Sequence, residues 1–105
     1  MSPRPGEVWL ADLGMVAKTR PVVVSRYDED PPRVLVLYIP LTSEDRGSDY
    51  EVELPKLPFP RLEGVADVQG IGSLSVKRLE RKLGVLPKEV MERIKKALRF
   101  ALDLD

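Results

Sequence analysis

The 105-residue chain contains no cysteine, no histidine and no asparagine, and its one glutamine is Gln69. The missing cysteine excludes disulfides and a thiol nucleophile. Without histidine, imidazole-based metal sites and the histidine acid/base chemistry common in nucleases are excluded as well. Net charge is also absent, because 17 Lys and Arg are balanced by 17 Asp and Glu. The chain therefore lacks the global field that steers many nucleic-acid binders, and any RNA or DNA site must be a local patch. No apolar run is long enough to span a membrane, and Met1-Ser2-Pro3-Arg4-Pro5 carries no signal-peptide core, so a soluble cytoplasmic protein is expected. Scarce Asn, Gln and Cys beside abundant Leu, Arg, Glu and Pro is the pattern of heat-adapted proteins, which points to a thermophilic source.

A chain of this length makes one domain, residues 1–105, and buries roughly two-thirds of the surface its unfolded form exposes. Proline and glycine mark the element boundaries. Strands are expected over residues 6–12, 20–26, 33–39, 49–54 and 64–69, the fourth at an edge because its polar and apolar residues alternate. Pro21 belongs at a strand start or edge, since it has no N–H for a ladder. Gly70-Ile71-Gly72 reads as a break, Ser75 as the cap of a short helical turn, and residues 81–86 as a short last strand. Pro87 opens a helix to Leu102, with Val90, Met91, Ile94, Ala97, Leu98, Ala101 and Leu102 on one stripe. Short strands followed by one amphipathic helix predict a mainly β fold, a small barrel or half-barrel with the helix packed against it.

The unbroken apolar runs Val22-Val23-Val24 and Val34 to Ile39 read as strands buried on both faces. Each has a polar residue at one end, Arg20 before the first and Thr42-Ser43 after the second. If the strands are neighbours, Arg20 and Thr42 converge on one ligand.

The segments Gly6-Glu7-Val8-Trp9-Leu10-Ala11-Asp12-Leu13, Arg20-Pro21-Val22-Val23-Val24-Ser25, Pro40-Leu41-Thr42-Ser43, Arg78-Leu79 and the helix after Pro87 resemble, in this order, the MazF/PemK/Kid toxins of bacterial type II toxin–antitoxin systems. The resemblance covers nearly the whole chain. It implies an SH3-like small barrel of the MazF/PemK/CcdB type with a C-terminal amphipathic helix, a homodimer, and inhibition by the C-terminal segment of a small antitoxin. It also implies metal-independent, sequence-selective cleavage of single-stranded RNA, with no cofactor.

Cleavage of RNA by its own 2′-OH requires an in-line geometry and donors for charge on the phosphate oxygens. Arg20 suits that second task, because its guanidinium stays protonated and forks onto two phosphate oxygens. Thr42 offers a hydroxyl donor held at a strand end. Taken singly, each has a plain structural explanation, a surface ion pair for the arginine and a local turn bond for the threonine. Asp67, Gln69 and Ser73 are candidate supporting groups, and Lys18, Ser43, Lys56 and Arg61 are candidate RNA contacts. Trp9 and Tyr38 fit a core or interface better than a base platform.

Two features depart from the family pattern. Where many relatives read Asp-Gln-Ile-Arg-Thr, a gapless alignment on Arg78-Leu79 gives Gln69-Gly70-Ile71-Gly72-Ser73, so Gln69 replaces the acid and Gly72 the cation. Asp67, two residues from Gln69 and on the same face of a strand, is then a candidate for proton transfer, the alternative being a strand aspartate paired with a nearby lysine or arginine. The loop before Arg20 is also short, which opens the site and relaxes sequence specificity. Three classes follow: an endoribonuclease toxin, a catalytically degenerate RNA- or antitoxin-binding module of the same fold, and a CcdB-like gyrase poison. The last ranks lowest, because the chain ends Leu102-Asp103-Leu104-Asp105 and lacks the Trp-Gly-Ile end of those proteins. The heat-adapted composition predicts a thermal midpoint above about 65 °C; a scanning-calorimetry midpoint within the mesophile range would contradict it.

Overall fold

Val22, Val23 and Val24 are all fully buried, and this is possible only for a strand covered on both faces. The computed structural model, which describes residues 2–14, 19–28, 34–57 and 64–104, shows how the covering is done. Seven strands, β1 (Glu7–Asp12), β2 (Thr19–Arg26), β3 (Leu35–Thr42), β4 (Glu51–Glu53), β5 (Val65–Asp67), β6 (Gly72–Ser75) and β7 (Leu79–Val85), form one antiparallel sheet, and a single helix, α1 (Lys88–Ala101), closes the chain. The order is β4-β5-β3-β2-β1-β7, with β6 also on β3. β2 is therefore central and β4 lies at an edge, as its alternating pattern predicts. Among the described residues the sheet does not close on itself, so the small barrel of the expectation is an open one.

Two apolar clusters sit on opposite sides of the strands. Val8, Val23, Ile39 and Leu41 face α1 and pack with its Val90, Ile94 and Ala97. Trp9, Val22, Val24 and Val36 face the other way and pack with Leu74, Val76 and Leu79 from the β6–β7 segment. The alternation of side chains along β1 and β2 divides them between these clusters. Pro87 stands at the N-cap of α1, and its carbonyl accepts the N–H of Val90 and Met91, both at 3.1 Å.

The expectation for β3 holds over part of its length. Val36 is buried in the cluster of Trp9 and Val22, and Ile39 and Leu41 are buried on the opposite face toward α1, but Leu35 and Leu37, on that second face at the start of the strand, are exposed. Two short strands share its outer edge: β6 pairs with Leu35–Tyr38 and β5 with Leu41–Thr42. Pro40, which has no N–H to give, sits at the change-over. β6 itself begins at Gly72, where a break was predicted, because the glycine lies against the Tyr38 ring and a Cβ there would be 3.0 Å from its hydroxyl. β7 starts two residues earlier than predicted and pairs along β1 through two register shifts. Val68 and Gln69, predicted as the end of the fifth strand, form with Gly70 a 3-10 turn capped by Asp67, whereas the Ser75-capped turn over Val76–Arg78 is as expected.

One buried charge ties β1 to β7. Glu7, 9% exposed, accepts from the Trp9 indole N–H at 3.1 Å and the Arg4 N–H at 2.9 Å, and pairs with the Lys82 ammonium at 2.9 Å. Burial works against ionisation, but Lys82, Arg4 and Trp9 together outweigh it and hold the carboxyl below the ordinary glutamate value of 4.5. Because the folded pKa is depressed, this stabilisation is complete above 4.5 and is lost as the pH falls through the folded value. Glu7→Gln should therefore cost about 1.5–3 kcal/mol near neutral pH, with the gap to the parent narrowing near pH ~3, as urea unfolding at the two pH values will show. A gap of equal size at both would contradict the ionised tie.

Candidate functional site

The β2–β3 ladder sets the site. Its last pair is Val22 with Pro40. Continuing that register by two residues puts Arg20 opposite Thr42, beyond the last ladder bond, so both are anchored by strands yet free at their ends. The convergence expected of neighbouring strands is thus present. Both side chains line an open groove of about 640 Å³, together with Ser43, Asp67 and Gln69.

Each of these positions has a local cause. Arg20 pairs through its backbone with Ala11 of β1, and the loop before it is rooted at Asp12. The Asp12 carboxylate accepts the Gly14 N–H at 2.8 Å, and Arg78 reaches the Asp12 carbonyl at 3.4 Å. Thr42 is held by β5, where it pairs with Val65, and its Oγ1 accepts the Glu44 N–H at 3.2 Å. That is the local turn bond of the plain explanation, but it uses the oxygen as an acceptor and leaves the hydroxyl proton to donate. Gly64 supports the same strand end: a Cβ there would run into the Thr42 carbonyl oxygen and lie 2.8 Å from Ser43 Cα. Asp67 and Gln69 reach the groove together because the Asp67 carboxylate accepts the Gln69 N–H at 3.1 Å across the 3-10 turn, rather than by sharing a strand face.

The groove also contains residues that sequence reasoning did not single out. Glu44, Arg46, Ser48, Tyr50 and Glu51 also line it. Arg46 pairs with Glu44 at 3.0 Å, both well exposed. Glu51 accepts the Ser48 N–H at 2.9 Å, the Arg46 N–H at 3.1 Å and the Ser48 hydroxyl at 2.8 Å. These bonds, the Ser48 N–H first, hold the Glu51 carboxyl below the ordinary range. The available signal was the Ser48-x-x-Glu51 spacing, the same reciprocal arrangement that caps helices, with Ser48 Oγ accepting the Tyr50 N–H at 3.3 Å.

The other sequence-predicted contacts lie elsewhere. Ser73 is exposed on β6 opposite Leu37, roughly 16 Å along β3 from Thr42, and does not line the groove. Lys56 is exposed and away from it. Lys18 and Arg61 lie outside the described residues. Trp9 is buried and bonded to Glu7, as a core residue should be.

Charge in the groove is therefore uneven. Arg46 is paired, whereas among the described residues neither Arg20 nor Asp67 has a partner of opposite charge. The arrangement offers a guanidinium and a hydroxyl donor from adjacent strand ends, with one carboxylate acceptor nearby, which suits a phosphodiester.

Residues 4–102 match the family described as PemK-like, MazF-like toxin of type II toxin–antitoxin system. The chain is 36% identical over 104 residues to the probable endoribonuclease MazF5 of Mycobacterium tuberculosis, covering 96% of this chain and 94% of that protein. Among solved structures it resembles an endoribonuclease in complex with its cognate antitoxin from a mycobacterial species, with TM-score 0.85 and 26% identity over 99% of this chain and 98% of that one. The Mycobacterium tuberculosis toxin MazF-mt6 is similar with TM-score 0.81 and 27% identity, over 97% and 99% of the two chains.

Gly64→Ala should displace the Thr42 strand end and lower stability by about 1–3 kcal/mol through overpacking. In two-dimensional NMR the amide shifts of Thr42, Ser43 and Val65 should move while those of α1 stay. Unmoved Thr42 and Ser43 amides would contradict the buttress.

Proposed function

This chain belongs to the PemK-like, MazF-like toxin family of type II toxin–antitoxin systems, and from that premise we propose that it is a metal-independent endoribonuclease acting on single-stranded RNA in the groove between the ends of β2 and β3. The observation that carries the reading is the register of those strands, which sets Arg20 against Thr42 at an open surface.

The proposed reaction uses the substrate's own nucleophile. The 2′-oxygen attacks the adjacent phosphorus, the bond from phosphorus to the 5′-oxygen breaks, and the products are a 2′,3′-cyclic phosphate and a 5′-hydroxyl. Arg20 binds the two non-bridging oxygens as their charge grows. The Thr42 hydroxyl donates to the scissile phosphate or to the departing 5′-oxygen. Asp67 takes the proton of the 2′-OH through the carboxylate oxygen that does not accept the Gln69 N–H, while Glu44 is paired with Arg46 and Glu51 is bonded to Ser48. Gln69, beside Asp67, orients the nucleotide, and Ser43 adds a hydrogen bond to the RNA backbone. The 5′-oxygen receives its proton from solvent in this open groove.

The same reading includes a homodimer, held in check by the C-terminal segment of an antitoxin. Leu35 and Leu37, exposed on one face of β3, give a second copy an apolar surface to cover. The structurally similar mycobacterial endoribonuclease is in complex with its cognate antitoxin. One observation favours the degenerate binding module as a second reading. Gly72, aligned with the family's cation, packs so closely on Tyr38 that a larger side chain would have to displace the ring.

The test is a long RNA incubated with the protein in excess EDTA, with products mapped by their ends. Cleavage leaving 2′,3′-cyclic phosphates is expected, with Arg20→Ala slowed about 10²–10³-fold and Asp67→Asn about 10²-fold or more. Thr42→Ala should fall between the parent and Arg20→Ala. Variants that cut at the parent's rate would overturn the site, and RNA binding without cleavage by the parent would establish the second reading.

A further inference from the structure

A second groove, of about 310 Å³, lies between β4 and α1. Its floor is Val52 and Ala97, and its helix side carries Arg93, Lys96 and Phe100. Positions 93, 96 and 100 are three and four residues apart, so the three side chains share one flank of the helix. The two grooves are neighbours, because Ser48 and Glu51 line both. They are also joined by an aromatic pair. Tyr50 lines the first groove and Phe100 the second, with ring centroids 5.2 Å apart and planes inclined by 54°.

The composition of this surface is informative. Phe100 is 54% exposed, presenting part of its ring to solvent beside two cations. Lys95 on the neighbouring flank pairs with Glu92, whereas among the described residues Arg93 and Lys96 pair with no carboxylate. Asp49 and Glu51 form the opposite rim, and Glu51 is engaged by Ser48 and Arg46. A ligand that fits must carry anions on the helix side and a flat apolar group over Phe100. Single-stranded RNA has both at every nucleotide, and stacking on an aromatic ring beside backbone cations is how such strands are held without sequence readout.

Resting on the activity proposed above, we infer that the β4–α1 groove is a second RNA subsite, which takes nucleotides flanking the cut site. Their phosphates run along Arg93 and Lys96 and one base stacks on Phe100. The acidic rim keeps the backbone on the helix side. Tyr50, shared through its contact with Phe100, links the flanking subsite to the cutting groove. The subsite adds affinity for long RNA without touching the reacting atoms.

Two variants test this without disturbing the cutting groove. Phe100→Leu keeps an apolar contact with Tyr50 but removes the ring, and Arg93→Gln with Lys96→Gln removes both cations. Each is compared with the parent on a long RNA and on a short oligonucleotide that fills only the first groove. Phe100→Leu should raise KM for the long RNA about tenfold at unchanged kcat and leave the oligonucleotide unaffected. The double variant should also lower the slope of log affinity against log salt by about 1.4, from two lost phosphate contacts. Parental KM and salt slope on long RNA would overturn the subsite, as would an equal loss on both substrates. Weakened binding of an antitoxin-derived peptide, or dissociation of a dimer, with long-RNA KM intact would give the groove to that partner instead. If the parent binds RNA without cutting, the same ratios are read from Kd, so failure of the activity and failure of the subsite are told apart. A parent that neither cuts nor binds RNA overturns both.

Discussion

The ladder between β2 and β3 stops at Val22 and Pro40, and most of the site follows from where it stops. A longer ladder would seal the two strand ends against each other and leave no groove. A shorter one would loosen the register between the two strands, whose ends are held from the outside by the pairing of Arg20 with Ala11 and of Thr42 with Val65. Pro40 cannot extend the ladder on its own account, and it also divides the outer edge of β3 between β6 and β5. The same residue also lines the groove in which the proposed phosphodiester lies. The apolar clusters on both sides of β2 make this geometry stiff, since Val22, Val23 and Val24 have no freedom to shift.

Around that opening, short polar ties do the positioning. Gly64 lets its segment lie against the Thr42 carbonyl, Asp67 caps the turn that brings Gln69 forward, and Glu51 gathers the N–H groups of Arg46 and Ser48 into one wall. These ties also distribute charge. Glu44 is paired with Arg46 and Glu51 is gathered by three donors of its own loop, whereas Asp67 accepts one N–H, from Gln69, and among the described residues neither it nor Arg20 has a partner of opposite charge. In a chain with no net charge, the proposed RNA site rests on this local sorting. In the proposed reaction it also supplies a phosphate clamp and a proton acceptor in one groove of a protein without histidine.

Legibility in the sequence followed how local each cause was. β1, β2 and α1 were readable, because Trp9, the valine triplet and the i, i+3, i+4 stripe of the helix each report burial directly. β3 was half readable: Leu35 and Leu37 look as buried as Val36 in a list of residues, and only the fold shows that among the described residues they stay exposed. β6 was hidden by Gly70 and Gly72, which read as breakers, although Gly72 is needed for contact with Tyr38. β7 carries Glu80, Arg81 and Lys82 in succession and shows no apolar rhythm, since it is held by pairing with β1 and by the Lys82–Glu7 tie. In the site, Arg20 and Thr42 were visible as polar ends of apolar strands. The wall from Glu44 to Glu51 was not, because its place depends on side-chain bonds to loop N–H groups that spacing only hints at.

The central claim is that the RNA supplies its own nucleophile while Arg20 and Thr42 hold the phosphate. Its most direct test is a single 2′-deoxy substitution immediately 5′ of the scissile phosphate in an otherwise ribonucleotide substrate. Cleavage at that bond should vanish, with affinity for the substrate retained. Continued cleavage there would mean that another nucleophile, such as water, attacks the phosphorus, and the account would fail.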